Sequence, residues 1–121
     1  GTDGIVGLTC HDSRHLAMVG AEKGVDYVAF GAFFPTDTHP VSPPPPPRAD
    51  LDLIRWSRDI TVVQCVATGG ITPENCTPVV SAGADFLGVS SAIWNHPDGP
   101  GAAVRAFRAA IDQAPMEDPV I

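Results

Sequence analysis

The sequence predicts an α/β protein built on a parallel sheet, and three observations carry that prediction. Apolar runs alternate with amphipathic stretches four times along the 121 residues. The run from Asp26 to Phe34 is apolar without alternation, as in a strand covered on both faces. Gly24-Val25-Asp26-Tyr27 returns as Gly83-Ala84-Asp85-Phe86, hinting at an internal repeat of two units. Strands that alternate with helices build parallel sheets.

Each element can be justified in turn. Ile5 to Cys10 is a short apolar run that reads as the first strand, and the polar turn His11-Asp12-Ser13 follows it, with Asp12 or Ser13 placed to cap a helix. Leu16, Ala17, Gly20 and Ala21 recur at helical spacing, and Gly24 supplies the stop. Asp26 to Phe34 is the second strand. Pro40 and the run Pro43 to Pro47 can enter neither a helix nor a central strand, so residues 40–49 read as a polyproline-like loop insertion.

Order resumes at Asp50. Leu51, Ile54 and Trp56 suggest a short amphipathic helix to about Arg58, and Thr61 to Ala67 is the third strand, ending in Thr68-Gly69-Gly70. Thr72 is placed to cap a helix with Pro73 in its first turn, the favoured place for proline, and Gly83 ends it. Asp85 to Ser91 is the fourth strand. Val104, Phe107 and Ile111 then form the buried stripe of a final helix. Four βα units make about half of an eight-unit barrel, which needs roughly 250 residues.

The composition limits what such a chain does. Hydrophobic residues make up 44%, enough for a packed core. A formal net charge of −7 argues against nucleic acid or an anionic membrane as a partner, because both call for a basic face. An anionic small molecule remains open, held by backbone dipoles or a metal. Cys10, Cys65 and Cys76 form no CxxC pair and no zinc spacing, and no secretory signal is evident, so a reducing cytoplasm is the expected compartment. No apolar run is long enough to span a bilayer.

Glycines and hydroxyls follow every strand: Thr9 the first, Thr36 and Thr38 the second, Gly69 and Gly70 the third, Ser90 and Ser91 the fourth. Backbone N–H groups freed at glycine turns hold phosphate without needing net positive charge, and the last two strands of a barrel are a frequent phosphate site. Taken singly, the same residues also fit a tight turn and a strand end. His11, at the mouth of the first strand, has the chemistry of a general acid or base near neutral pH, or packs beside its turn. His15 and His96 read as solvent-facing. Asp26 and Asp85 open strands, the barrel end associated with stability, and so read as structural. Asp37 is a lone loop carboxylate, a weak metal signal. Cys10 and Cys65 read as small buried hydrophobes.

Four ordered motifs together resemble the C-terminal half of the thiamine-phosphate synthase family. They are Gly7-Leu8-Thr9-Cys10-His11, Asp26 to Gly31 running on to Phe34-Pro35-Thr36-Asp37-Thr38, Val66 to Thr72, and Val89-Ser90-Ser91-Ala92-Ile93. The resemblance implies a TIM barrel, of which residues 1–121 form about the last four units. It implies a transferase that joins hydroxymethylpyrimidine diphosphate to thiazole phosphate and releases pyrophosphate. Thr9 takes the serine position of a GxSxH motif near the pyrimidine diphosphate. Thr36 and Thr38 match the threonine pair at the thiazole phosphate, and Gly69 or Gly70 with Ser90 and Ser91 complete that pocket. His39 stands where the family has a lysine that meets the pyrophosphate, so His11 and His39 are the candidate catalytic residues. The proline run replaces a mobile loop. Magnesium is the implied cofactor, its aspartate ligands expected in an N-terminal half. Pairing with such a half, or self-association, would close the barrel. A related thiazole tautomerase using His11 and a non-catalytic phosphate-binding half-barrel are the alternatives.

Overall fold

The computed structural model describes residues 4–34 and 49–117. Thr36, Asp37, Thr38, His39 and the proline run lie outside the described residues. Four strands, β1 (Gly7–His11), β2 (Tyr27–Phe30), β3 (Gln64–Thr68) and β4 (Phe86–Gly88), form one parallel sheet in the order β1-β2-β3-β4. Helices α1 (Arg14–Lys23), α2 (Leu51–Ile60) and α3 (Thr77–Ala82) connect them, and α4 (Ser91–Trp94) and α5 (Pro100–Gln113) follow β4.

Local chemistry sets most of these boundaries. Ser13 Oγ accepts the Leu16 N–H and starts α1, and Asp50 accepts the Asp52 N–H and starts α2. Gly24 and Gly83 end α1 and α3 in left-handed caps. The helix expected from Thr72 begins later, at Thr77, with Pro78 in its first turn. Thr72 to Asn75 instead close a turn on themselves: the Asn75 N–H donates to Thr72 Oγ1 at 3.2 Å and the Thr72 N–H to Asn75 Oδ1 at 2.8 Å.

The repeated Gly-x-Asp motif has a single structural explanation. The Asp26 carboxylate accepts the Val6 N–H at 2.8 Å while the Asp26 N–H donates to the Val6 carbonyl at 2.7 Å. Asp85 does the same to Cys65, at 2.8 and 2.9 Å. Each acid therefore clasps the start of the preceding strand and sets the parallel register of its pair.

Among the described residues the helices pack on one face of the sheet, yet Val28, Ala29 and Phe30 of β2 are buried in succession, so this strand is covered on both faces, as its unalternated apolar run predicts. Leu8, Val28, Cys65 and, one layer on, Phe30, Ala67 and Leu87 share one side. Against that side the core forms with Ala17, Leu53, Ile54, Val79 and Phe107. Gly7, Thr9, Tyr27, Ala29, Gln64, Val66, Thr68, Phe86 and Gly88 occupy the other side, where Thr9, Gln64 and Phe86 are exposed and Ala29 is buried. The buried stripe of α5 is Ala103 and Phe107, whereas Val104 turns outward at 56% exposure. Ala49, the described residue of the expected loop, is buried and donates to the Ala32 carbonyl at 2.8 Å. No helix among the described residues is long and apolar enough to cross a membrane.

Candidate functional site

Parallel strands bring their carboxyl ends to one edge of the sheet, and the candidate residues meet there. His11 ends β1 with φ 55°, a left-handed conformation seldom adopted by residues other than glycine, next to a register shift between Thr9 and His11. Its carbonyl accepts the Gly31 N–H at 3.0 Å, so the ends of β1 and β2 are tied together. His11 and Thr9 are both exposed.

Thr68, at the end of β3, is the hub of this edge and was not among the candidates read from the sequence. Its Oγ1 donates to the Phe30 carbonyl at 3.1 Å. A Cβ at Gly31 would run into Thr68 Oγ1, and one at Gly88 would come within 2.8 Å of Thr68 Cγ2. The two glycines flank Thr68 from the neighbouring strands, so the backbones of β2 and β4 approach it closely. Those glycines are the sequence signal by which Thr68 could have been found, but only the register shows that all three residues meet.

Beyond Thr68 the chain turns sharply. Gly69 and Gly70 both take positive φ, 93° and 67°, which residues with a Cβ adopt only at a cost. The N–H of Phe33 donates to the Thr68 carbonyl at 3.2 Å and that of Phe34 to the Gly69 carbonyl at 3.1 Å, zipping the turn to the segment after β2. Asn75 Nδ2 donates to the Gly70 carbonyl at 3.0 Å. Among the described residues, no acceptor meets the N–H groups of Gly70 and Ile71. Two successive donors thus have no acceptor among the described residues, the arrangement that an anion-binding turn uses.

Ser90 and Ser91 lie at the same edge, where β4 passes into α4. The Ser90 carbonyl accepts the N–H groups of Ile93 and Trp94, and the Ser91 carbonyl that of Asn95. Ser90 is exposed and Ser91 half-buried. The structure thus brings Thr9, His11, Gly69, Gly70, Ser90 and Ser91 to one edge, while Thr36, Thr38 and His39 fall outside the described residues. His15 is exposed, as read from the sequence, whereas His96 is half-buried and accepts the Asp98 N–H on Nδ1. Burial pushes the Cys10, Cys65 and Cys76 thiols up, Cys65 to about 12, which suits small buried hydrophobes. A cavity of about 360 Å³ lies elsewhere, against β4 and α5, with an apolar lining that includes Val80, Leu87, Val104 and Phe107.

Four βα units in a parallel sheet, helices along one face and glycine turns at the carboxyl ends, define a chain of the (β/α) barrel class. Comparison with known proteins narrows the class, because the chain belongs to the thiamine monophosphate synthase family, whose model matches residues 1–93. It is 57% identical over 107 residues to the thiamine-phosphate synthase of Rhodospirillum centenum, covering 88% of this chain and 50% of the relative. It is 52% identical over 112 residues to that of Hyphomonas neptunium, covering 93% and 49%. Among solved structures, a thiamine phosphate pyrophosphorylase from Pyrococcus furiosus superposes with a TM-score of 0.73 at 28% identity, over 91% of this chain and 50% of that one. The chain spans about half the length of the curated relatives it matches.

Proposed function

We propose that this chain supplies the thiazole phosphate side of a thiamine-phosphate synthase, a transferase that joins hydroxymethylpyrimidine diphosphate to thiazole phosphate. The observation that carries the reading is the turn at Gly69 and Gly70, with two N–H groups that no described residue accepts, at the carboxyl edge of a sheet that belongs to this family. The turn holds the thiazole phosphate, and the hydroxyls of Ser90 and Ser91 add donors from the neighbouring strand end. Thr36 and Thr38 are assigned to the same phosphate on the strength of the motif.

The ring nitrogen of the bound thiazole attacks the pyrimidine methylene. A C–N bond forms, the C–O bond to the diphosphate breaks, and pyrophosphate leaves with the electron pair. The protein's part is to hold the two reactants in line and to exclude water. Thr9 and His11, exposed on β1, face the diphosphate in this reading, and His39 takes the place of the cation that meets the leaving group. Histidine is mostly neutral at pH 7, which makes it a weaker stabiliser there than lysine. Magnesium would neutralise the diphosphate, but the described residues do not fit that ion: no group of three or more His, Cys, Asp or Glu among them converges to hold it.

Turnover therefore calls for groups beyond this half-barrel, which we assign to a companion half of the kind the full-length relatives carry. The relatives reported above bear the synthase description, and no feature of the edge favours a tautomerase instead. Three buried, free thiols agree with a reducing cytoplasm. The test is to mix the chain with the first four units of the Rhodospirillum centenum relative and assay thiamine phosphate formation with magnesium present. Product from the mixture, and none from either part, supports the reading. A mixture that stays inactive although the chain binds thiazole phosphate would reassign it as a binding module.

A further inference from the structure

We propose that Asn75 is a positioning residue for the substrate phosphate, acting through the turn at Gly69 and Gly70; the inference rests on the function proposed above. Asn75 lies outside every strand end, on the turn between β3 and α3, and uses both ends of its amide. Oδ1 accepts the Thr72 N–H at 2.8 Å and Nδ2 donates to the Gly70 carbonyl at 3.0 Å. Its own N–H donates to Thr72 Oγ1, which holds the amide in place.

The consequence follows from peptide geometry. The bond between Gly70 and Ile71 is trans and planar, so the Ile71 N–H points opposite to the Gly70 carbonyl. When Asn75 draws that carbonyl toward itself, it aims the Ile71 N–H away, into the space where no described residue accepts it. The preceding peptide is set in the same way, since the Phe34 N–H holds the Gly69 carbonyl and so aims the Gly70 N–H. Each of these two donors is thus oriented by an anchor on the far side of its own peptide. The buried side chain of Ile71, 3% exposed, pins the end of the turn. Without Asn75 the peptide between two residues at or beside positive φ loses its anchor and is free to rotate.

Asn75→Asp separates this role from a structural one. The carboxylate still accepts the Thr72 N–H, but it places an oxygen where Nδ2 met the Gly70 carbonyl. Thiazole monophosphate and its dephosphorylated alcohol are titrated into wild type and variant by calorimetry, with melting followed by circular dichroism. Expected is a loss of at least roughly tenfold in affinity for the phosphate ester, the scale of one charge-assisted hydrogen bond. The melting temperature falls by no more than the several degrees expected for one half-buried hydrogen bond, and the response to the alcohol stays that of the wild type. Amide resonances of Gly70 and Ile71 in the wild type shift on addition of the ester. Unchanged affinity in Asn75→Asp, or wild-type binding that leaves those two amides unmoved, overturns the inference. A wild type that does not bind the ester removes the function proposed above, and the inference with it.

Discussion

Truncating Asp85 to alanine tests the strand clasp and the duplication it belongs to. The substitution removes the carboxylate that accepts the Cys65 N–H at 2.8 Å and keeps the backbone bond to the Cys65 carbonyl. Cys65 is 3% exposed, so its N–H cannot readily turn to water. A lost hydrogen bond to a charged group that strands its partner costs about 1.5–3 kcal/mol. For a domain of this size that lowers the melting temperature by roughly 5–15 °C. Asp26→Ala breaks the matching bond at Val6, which is 60% exposed, and water replaces the carboxylate there. That loss is about 0.5–1 kcal/mol. Asp85→Asn, which keeps an acceptor, falls between wild type and Asp85→Ala. Thermal and urea unfolding of the three variants measure the order. The reasoning is refuted if Asp26→Ala costs as much as Asp85→Ala, or if Asp85→Ala melts with the wild type.

Ser57 is fully buried on α2 and its hydroxyl has no partner among the described residues, so Ser57→Ala is expected to be neutral or stabilising by up to about 1 kcal/mol in urea unfolding; a clear loss would reveal a bond to its hydroxyl. With its thiol pushed up to about 12, chiefly by burial, Cys65 should resist alkylation at pH 8 in the folded chain and react quickly in urea, as peptide mass analysis would show. Equal labelling in both states would contradict its placement. Glu117 accepts hydrogen bonds from Arg55 Nε at 2.8 Å and from its second amino nitrogen at 2.9 Å, which hold its carboxyl below the ordinary glutamate range. A lowered pKa in the folded state adds stability above the unfolded pKa that is lost as pH falls through the folded one. The gap in melting temperature between wild type and Glu117→Gln should therefore be present at pH 7 and close toward pH 3; a gap that persists in acid would mean that packing, not charge, holds this segment to α2.

Much of the architecture was legible because short-range chemistry wrote it. Ser13 caps a helix and Gly24 and Gly83 stop helices through contacts within a few residues, whereas the repeated acid was legible as a strand opener although its bond reaches back 20 residues. The strand-end glycines and hydroxyls were legible for the same reason, since each follows its own apolar run. Tertiary structure decided what depends on distant partners. The apolar run Tyr27–Phe30 announced a strand buried on both faces, but only the tertiary packing puts α1, α2, α3 and α5 on the same side of the sheet. Thr68 gained its place because Gly31 and Gly88, 37 and 20 residues away along the chain, leave room beside it. Thr72 and Asn75 prefer to bond each other over starting a helix, a competition that propensity does not resolve. Sequence patterns record what a residue does to its neighbours in the chain; which peptide an amide grips, and where the opposite N–H then points, exists only once the strands are in register.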